Sequence, residues 1–436
     1  MTQPKLSAHF EGRKPSAIRT AQIEFAKRTD DVDAVNTAIG NVSLPMHPAM
    51  LERMKALGND ESPFAGGVVK YSATVGTEEA QKAVLNIIGS SNLPIDNLHA
   101  QITDGGSAAM ELLIVGVCGP AGSNEKPLLL IDAAYTNYNA LAARTGRKTV
   151  SVQRTLSTDG KFALPDIAQI EATIKKYNPG ALVVIPYDNP TGHYYDHDTM
   201  VTLAKLCVKY NLWMASDEAY RELYYMDCVP SSIWRVTEEE VPGIVGRRIS
   251  IETASKVWNA CGLRIGALVT DNISFHTKSV AEYTANLCTN VIGQHIFAAL
   301  AHERYELLRT WYIKQREYYR ELLVNVSEGL KNALPGLIVS SPDASIYSVV
   351  DVRDIVKQNF DAMDFVLFCA QKGKVEIDGQ NLTLLVSPMA GFYQVESGKP
   401  NPGKTQMRIA YVESPERMAM VPELFSTLLK EYEANR

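Results

Sequence analysis

The sequence has little that would place the chain in a membrane or on a nucleic acid. None of its apolar runs approaches the roughly 20 residues that cross a bilayer, and the longest, such as 112–119, fit a buried helix or strand. Residues 1–15 contain no apolar stretch of the kind found in a secretory signal. Lysine and arginine form no block, and the formal net charge is −6 at pH 7. Neither nucleic acid nor a membrane is therefore predicted as a partner.

Cysteine is also scarce, and its 6 residues are scattered along the chain without a CxxC pair. This spacing predicts no disulfide framework, and a reducing cytoplasm is the expected location. His193 and His197 stand four residues apart, as a metal-binding pair on a helix would. They directly follow a turn sequence and lack a clear third ligand, so no metal site is predicted.

What the sequence does contain is a repeated alternation of short apolar runs and longer helical patterns. The runs that we predict as strands are 100–103, 127–132, 148–152, 181–187, 212–216, 248–252 and 266–270. Such alternation is typical of an α/β fold with a large, mostly parallel seven-stranded sheet covered by helices. Ligands of these sheets bind beyond the carboxyl ends of the strands.

The chain is long enough for more than one domain, and we predict three parts. Residues 1–60 form an N-terminal arm, with a helix near 16–28, and contribute to a small domain. Residues 61–300 form the large, ligand-binding domain. Residues 301–436 form the rest of a smaller α+β domain, which includes a predicted strand at 337–341.

The most informative stretch is IETASKVWNACGLRIG at 251–266. Lys256 follows a predicted strand, between hydroxyls at Thr253 and Ser255, and Arg264 stands eight residues later. A reactive lysine needs a site that holds its amine, and a phosphate needs hydroxyls and an arginine. The stretch therefore indicates a lysine Schiff base to a phosphorylated aldehyde cofactor. The alternative is an ordinary surface lysine after a strand.

Two other predicted strand ends carry residues that suit such a cofactor. Gly105, Gly106 and Ser107 open a helix, whose first N–H groups would face a bound anion. The stretch is not a GxxxxGK[ST] loop, which disfavours a nucleoside triphosphate. Tyr135, after the next strand, would lie against an aromatic ring or pack in the core.

Polar side chains follow the later strands as well. Asn189 in YDNPTG presents its amide beyond a strand, where it can bond a phenolate oxygen. Asp217 is a carboxylate that is costly to bury without a cation, such as a protonated pyridine nitrogen. Tyr220 would share the phenolate oxygen with Asn189. Arg408 begins a predicted strand and would bind a substrate carboxylate through two prongs.

Taken together, these stretches resemble the class I/II aminotransferases, the aspartate aminotransferase-like, fold type I branch of pyridoxal-phosphate enzymes. NPTG at 189–192, SDEAY at 216–220 and the lysine-arginine pair stand in the family's order over residues 39–412. PMAGFY at 388–393 is similar to a bacterial and archaeal subgroup. The resemblance implies that pyridoxal 5′-phosphate, bound as an aldimine of Lys256, carries the amino group of an L-amino acid to a 2-oxo acid.

The resemblance also implies a role for each matching residue. Lys256 moves the proton between the substrate Cα and the cofactor, and Asp217 keeps the pyridine nitrogen protonated. Asn189 and Tyr220 hold the phenolic oxygen, and Tyr135 stacks on the ring. The phosphate ligands are Gly105, Gly106, Ser107, Thr253, Ser255 and Arg264.

Substrate and subunit contacts follow from the same resemblance. Arg408 and Asn189 bind the substrate carboxylate, and Gly40 lies in the segment that closes over the substrate. Tyr71 matches a tyrosine that reaches the phosphate of a neighbouring subunit, which implies a homodimer with active sites at its interface.

The sequence departs from the family at three places. The family's proline-rich turn is not evident around 288–293, and the loop 394–404 is longer than usual. We place no arginine for a second, distal substrate carboxylate, so dicarboxylate specificity stays open.

Two other functions compete with transamination. A C–S β-lyase on the same scaffold would use the same Lys256 and Asp217, and motifs do not separate it from an aminotransferase. A transcription regulator that borrowed the fold would carry a DNA-binding head. Residues 1–35 are too short for that head and the chain is acidic, which disfavours a regulator.

Overall fold

A computed structural model describes residues 4–340 and 342–436. Residues 1–3 of the predicted N-terminal arm, and Ser341 at the end of a predicted strand, lie outside them. The described residues form 14 α-helices: α1 Ala8–Glu11, α2 Ala17–Phe25, α3 Pro48–Lys55, α4 Glu78–Ser90, α5 Gly105–Val117, α6 Thr136–Arg144, α7 Ile167–Tyr177, α8 His197–Lys209, α9 Ile273–Tyr283, α10 Val291–Phe297, α11 Tyr305–Ala333, α12 Ala362–Gln371, α13 Pro415–Ala419 and α14 Val421–Ala434.

The same residues form 16 strands: β1 Asp33–Asn36, β2 His99–Asp104, β3 Leu128–Asp132, β4 Thr149–Gln153, β5 Thr155–Leu156, β6 Phe162–Ala163, β7 Ala181–Val184, β8 Trp213–Asp217, β9 Arg248–Thr253, β10 Ile265–Thr270, β11 Ile338–Val339, β12 Tyr347–Asp351, β13 Val375–Ile377, β14 Gln380–Leu385, β15 Ser387–Pro388 and β16 Gln406–Ala410. In this part of the chain no helix is long and apolar enough to cross a membrane.

The predicted large sheet is confirmed. Its 7 strands lie in the order β2-β10-β9-β8-β7-β3-β4, and each of the seven predicted runs overlaps one of them. All pairs are parallel except those of β10, which runs antiparallel to β2 and β9. Every residue of β3 and of β7 is buried. Both faces of the central strands are therefore covered, as the continuous apolar runs indicate.

A second region contains smaller sheets and completes the predicted α/β class. One has 4 strands in the order β11-β12-β16-β15, and another has 3 in the order β1-β14-β13. The N-terminal strand β1 pairs in parallel with β14, from the far end of the sequence. An N-terminal segment therefore joins the C-terminal region, as we expected. The boundaries at residues 60 and 300 stay a prediction.

Helix starts follow the capping residues of the sequence. The Thr77 hydroxyl accepts a hydrogen bond from the Ala80 N–H at 3.2 Å and caps α4. Ser16 caps α2 in the same way, through the N–H of Arg19. Each side-chain oxygen bonds an N–H that the first turn of a helix leaves without a partner. The Ser16 cap fixes the start of a helix that borders the cavity described below.

Candidate functional site

A cavity of about 520 Å³ opens beyond the carboxyl ends of β8 and β9. Residues from the N-terminal segment, the large sheet and the C-terminal region all line it. The predicted site residues in its wall are Gly40, Gly106, Ser107, Tyr135, Asn189, Asp217, Tyr220, Thr253, Ser255, Lys256, Arg264 and Arg408. The structure therefore brings together side chains that are separated by hundreds of residues in the sequence.

Lys256 lies in the loop after β9, and its Nζ donates a hydrogen bond to the Gly40 carbonyl. A Cβ added at Gly40 would lie 2.9 Å from this Nζ and 2.2 Å from the Tyr347 Oη. A second contact joins the same segments, because the Asn259 amide donates to the Pro45 carbonyl at 3.0 Å. The Lys256 loop is thus tied to the N-terminal segment, and only glycine fits where the two meet.

One end of the cavity has the features of an anion site. Helix α5 begins there at Gly105, and Asp104, which precedes it, makes no side-chain cap bond to the helix. The first N–H groups of the helix are thus left for a ligand, and Gly106 and Ser107 face the cavity. Gly105 itself does not line the cavity. A Cβ at this position would lie 2.2 Å from the Arg264 Nη2.

Two hydroxyls and a guanidinium complete this end. The Thr253 and Ser255 hydroxyls lie 2.8 Å apart, and the Ser255 N–H donates to Thr253 at 3.1 Å. Arg264 is held by a hydrogen bond from its Nη1 to the Cys261 carbonyl at 3.0 Å. A positive charge, two hydroxyls and a helix N-terminus together suit a phosphate group.

Asp217 ends β8 at the cavity wall. Its carboxylate accepts hydrogen bonds from the Tyr138 hydroxyl at 2.5 Å and from the Ala219 N–H at 3.1 Å. Burial raises the pKa of this carboxyl above its ordinary value, although the Tyr138 bond acts in the opposite direction. The hydrogen-bond donors of this buried carboxylate are neutral groups, so its negative charge is not balanced by them. A cationic ligand would supply the missing positive charge.

Asn189 and Tyr220 are joined directly. The Asn189 Nδ2 donates to the Tyr220 Oη at 3.2 Å. Both side chains are buried and both line the cavity. Burial raises the pKa of the Tyr220 phenol well above its ordinary value, so the phenol is a hydrogen-bond donor at neutral pH. An amide and a phenol side by side can donate to one ligand oxygen.

Arg408 lies in β16 and is buried. Its Nη1 donates to the Asn189 Oδ1 at 2.9 Å and its Nη2 to the Ala38 carbonyl at 2.7 Å. Within the described chain its Nε has no hydrogen-bond partner. The guanidinium lies over the Tyr347 ring at 4.4 Å and near the Phe392 ring at 5.4 Å. A fixed, buried cation with an unused donor suits a carboxylate.

Tyr135 borders the cavity with its ring. The ring meets Tyr138 edge to face at 5.5 Å, and its hydroxyl accepts from the Asn137 amide at 2.8 Å. Burial raises the pKa of this phenol to about 12. The residue thus presents a neutral aromatic surface to a ligand.

Tyr71 is, with Gly105, one of two predicted site residues that do not line the cavity. Its side chain is 78% exposed, next to Val68 at 57% and Val69 at 54%. Tyr71 is not among the described residues that line the cavity of this chain. Its place on the surface suits a contact with another molecule.

The two histidines that resemble a metal pair lie in different settings. Burial lowers the pKa of His193 to about 4. His197 begins α8 and lies 2.6 Å from the Glu240 carboxylate. Over residues 4–340 and 342–436, no group of three His, Cys, Asp or Glu residues is placed to hold a metal ion.

Several lining residues were not predicted from the sequence. Tyr347 lies on β12, where its apolar neighbours indicate only a core position. Ser16, Ile18 and Arg19 belong to α2, which covers part of the cavity. The hydroxyl of Tyr347, in a strand that also carries the apolar Val349 and Val350, was a local signal that pointed to a site.

The chain was compared with known proteins. A family model described as aminotransferase class I and II matches residues 33–378. The aspartate/prephenate aminotransferase of Thermus thermophilus is 25% identical over 369 residues, covering 83% of this chain and 88% of that protein. The aspartate aminotransferase of Musicola paradisiaca is 21% identical over 379 residues, covering 86% and 85%.

A solved structure shares the fold. The N-succinyldiaminopimelate aminotransferase of Mycobacterium tuberculosis superposes with a TM-score of 0.79 at 19% identity, covering 97% of this chain and 100% of that one. Fold and family model therefore agree over most of the sequence.

Proposed function

The chain belongs to the class I and II aminotransferases and is a pyridoxal-phosphate-dependent aminotransferase; we propose that the cavity around Lys256 is its active site. The amino group of an L-amino acid would pass to a 2-oxo acid there. The observation that carries this proposal is the meeting of Lys256, Asp217 and Arg408 in one cavity. The relatives are aminotransferases by name, which does not favour the C–S β-lyase.

The residues present fit pyridoxal phosphate. The end of the cavity at Arg264 suits its phosphate, Asp217 its ring nitrogen, and Asn189 with Tyr220 its phenolic oxygen. When bound, the cofactor supplies an aldehyde that links to amines and a ring that accepts the electron pair left at the substrate Cα. The buried carboxylate of Asp217 would balance the positive charge of the protonated ring nitrogen, because each charge would be costly to bury alone.

Lys256 is the residue that moves the proton. Its amine is both the nucleophile that would carry the cofactor and the base that would take the proton from the substrate Cα. The Gly40 carbonyl, which accepts from its Nζ, limits the directions in which the amine can point. Holding the reacting groups in place in this way lowers the entropic part of the barrier.

Arg408 and Asn189 would orient the substrate. The guanidinium is fixed by the Ala38 carbonyl and the Asn189 amide, so it would offer its remaining donors to a carboxylate in one geometry. A substrate carboxylate that binds these donors places its Cα toward Lys256. Tyr135 would pack against the cofactor ring on the cavity side.

We also propose a homodimer, the three-part division of the chain, and a cytoplasmic location. The exposed apolar side chains of Val68 and Val69 beside Tyr71 support a subunit contact. The separate sheets of the C-terminal region support a boundary near residue 300. The 6 cysteines are all free thiols, which suits a reducing compartment.

The test begins with the absorbance of purified protein loaded with pyridoxal phosphate. One L-amino acid from a panel should remove the band of the aldehyde cofactor, and a 2-oxo acid should restore it. Release of pyruvate and ammonia without restoration would identify a lyase instead. Lys256→Ala should abolish turnover and leave the unfolding temperature near that of the wild type. Lys278→Ala, at an exposed lysine on α9, is the matched control, and a wild-type rate in Lys256→Ala would refute the proposal.

A further inference from the structure

Tyr347 is a buried tyrosine of the cavity wall to which no role has yet been given. It is 2% exposed and lies on β12, next to the strand β16 that carries Arg408. Val349 and Val350 on the same strand are apolar and fully buried. A phenol is costly to bury unless its hydroxyl is bonded, so the use of tyrosine here calls for a partner in the cavity.

The Tyr347 hydroxyl has such partners. Its Oη lies 2.9 Å from the Tyr220 Oη. It also lies beside the Lys256 amine: both border Gly40, where one added Cβ would lie 2.2 Å from the hydroxyl and 2.9 Å from the Nζ, and a side-chain bond with Lys256 is among the causes that lower the pKa of Tyr347. The ring of Tyr347 lies under the Arg408 guanidinium at 4.4 Å. One side chain therefore touches the residues that we assign to the cofactor, the proton and the substrate carboxylate.

We propose that Tyr347 is a positioning residue of the active site. Its hydroxyl, together with the Gly40 carbonyl, holds the amine of Lys256 whenever that amine is not covalently engaged. Its ring supports the plane of Arg408. The inference rests on the proposed function, because it assigns Lys256 and Arg408 the roles given above.

An amine that moves a proton at the substrate Cα needs to return to one place after each transfer. The lysine side chain has a flexible stem of four carbons and loses much rotamer freedom when its amine is held in place. With the Gly40 carbonyl and the Tyr347 hydroxyl as acceptors, one of the three N–H groups of the amine is left for a ligand in the cavity that Lys256 lines. A loosely held amine would spend less time within reach of the substrate.

The charges around Tyr347 agree with this role. Burial acts to raise the pKa of its phenol, but the positive charges of Lys256 and Arg408 and the bond with Tyr220 bring it below the ordinary value. The other titratable groups that face it, Tyr135 and Tyr319, are neutral phenols. The oxygen of Tyr347 is therefore placed to accept from the Lys256 amine, while Arg408 lies over the ring.

The test compares Tyr347→Phe with Tyr411→Phe. Tyr411 is equally buried, follows the neighbouring strand, and bonds Ser348 at 2.7 Å. In the cofactor-free protein, reductive methylation of Lys256, measured by peptide mass spectrometry, should be several-fold faster in Tyr347→Phe and unchanged in Tyr411→Phe. In the loaded enzyme Tyr347→Phe should lower kcat about tenfold and keep KM within about twofold, because its ring still supports Arg408.

Equal or slower labelling of Lys256 in Tyr347→Phe would overturn the proposal. Tyr347→Leu also removes the ring, so its KM should rise about tenfold as well, and an unchanged KM would refute the role of the ring.

A second experiment, the absorbance of tyrosine phenolates as a function of pH, needs no change at residue 347. Lys256→Met should move the ionisation of one tyrosine to higher pH, and superimposable titrations would contradict the contact. A wild type that neither binds pyridoxal phosphate nor transaminates would refute the proposed function, while the labelling comparison would still decide this inference.

Discussion

The amide of Asn189 joins Arg408 to Tyr220. Its Oδ1 accepts from the Arg408 Nη1 at 2.9 Å, and its Nδ2 donates to the Tyr220 Oη at 3.2 Å. The Arg408 guanidinium, which would bind the substrate carboxylate, and the Tyr220 hydroxyl, which would bind the cofactor oxygen, are thus linked through two hydrogen bonds. The orientation of the amide is fixed at both ends, so a change at either end is transmitted to the other.

Arg408→Lys tests the substrate end of this connection. A lysine is a point charge and cannot bond Asn189, Ala38 and a carboxylate through a planar fork. We expect kcat/KM for the amino acid to fall about 10- to 100-fold, mainly through KM, as for the loss of a hydrogen bond to a charged group. Initial rates against amino acid concentration measure this. Arg144→Lys, at an exposed arginine paired with Glu111, is the control, and an unchanged KM in Arg408→Lys would contradict the assignment.

The large sheet could be predicted because its strands are short, continuous apolar runs. Asp217 and Lys256 could be singled out for a related reason, since polar residues that directly follow buried strands stand at the edge where ligands bind. Tyr347 could not, because its importance depends on the pairing of β12 with β16. That pairing joins residues 347–351 to 406–410 and leaves no mark on local spacing.

The cover of the cavity by α2 was beyond prediction for the same physical reason. Helical spacing and the Ser16 cap predict that the helix exists. They do not specify where an amphipathic helix docks, because that choice depends on contacts with distant residues. The family resemblance, rather than spacing, led to Gly40, and the structure shows the local reason for glycine there.

Asp217→Asn should separate stability from function. Burial raises the pKa of Asp217, so its ionised form costs stability that grows as the pH rises above the unfolded value near 3.8. Asparagine keeps one acceptor oxygen, for the Ala219 N–H, and its NH2 group can instead donate to the Tyr138 oxygen, without the charge. We expect a higher unfolding temperature for the cofactor-free variant at neutral pH, by about 1 °C for each kcal/mol gained, because the unfolding entropy grows with the 436 residues of the chain.

The same variant should lose activity, because asparagine cannot balance a protonated ring nitrogen. The loss of one matched electrostatic partner in an active site lowers kcat about 10²- to 10³-fold. Asp271→Asn is the contrasting control, since Asp271 pairs with Arg248 at 2.7 Å and its loss should lower the unfolding temperature. Retained activity in Asp217→Asn would count against the assigned role.

A buried ionic cluster lies behind the cavity. The Arg221 Nη2 contacts the Glu252 carboxylate at 2.6 Å and the Glu218 carboxylate at 3.3 Å. Burial raises the pKa of Glu252 from 4.5 to about 7, opposed by Arg221 and reinforced by Glu218. Two carboxylates share one guanidinium, so Glu252 keeps its proton to a higher pH than an exposed glutamate does.

The raised pKa of Glu252 predicts a pH dependence of stability. The folded state binds a proton that the unfolded state releases near pH 4.5. The contribution of Glu252 is therefore fully present below pH 4.5 and is lost as the pH rises to about 7. Glu252→Gln resembles the protonated form at every pH. Thermal unfolding should show nearly equal stability of variant and wild type at low pH, and a more stable variant above pH 7. Glu328→Gln, at an exposed position of α11, should show no such divergence, and parallel curves for Glu252→Gln would refute the protonation.

Four cationic side chains line the cavity, and Arg19 is the one without an assigned ligand. Lys256, Arg264 and Arg408 have the roles proposed above. Arg19 lies on α2 beside Ile18, and its Nη1 donates to the Gln22 side chain at 2.7 Å. It is exposed at the side of the cavity formed by the N-terminal segment. Arg19 is therefore the candidate partner of a second, distal carboxylate of the substrate, for which we placed no arginine from the sequence alone.

Arg19→Gln should separate two classes of substrate. A substrate with a second carboxylate would lose an exposed charge pair, so its KM should rise about fivefold at low salt and less as the ionic strength increases. A substrate with one carboxylate should keep its KM within about twofold, because Arg408 binds that group. Single half-reactions of the loaded enzyme with L-aspartate, L-glutamate, L-alanine and L-leucine measure this without a second substrate. Arg13→Gln removes an exposed arginine outside the cavity and should leave both classes unchanged. An equal effect of Arg19→Gln on both classes would show that its charge acts on the whole cavity rather than on a distal carboxylate.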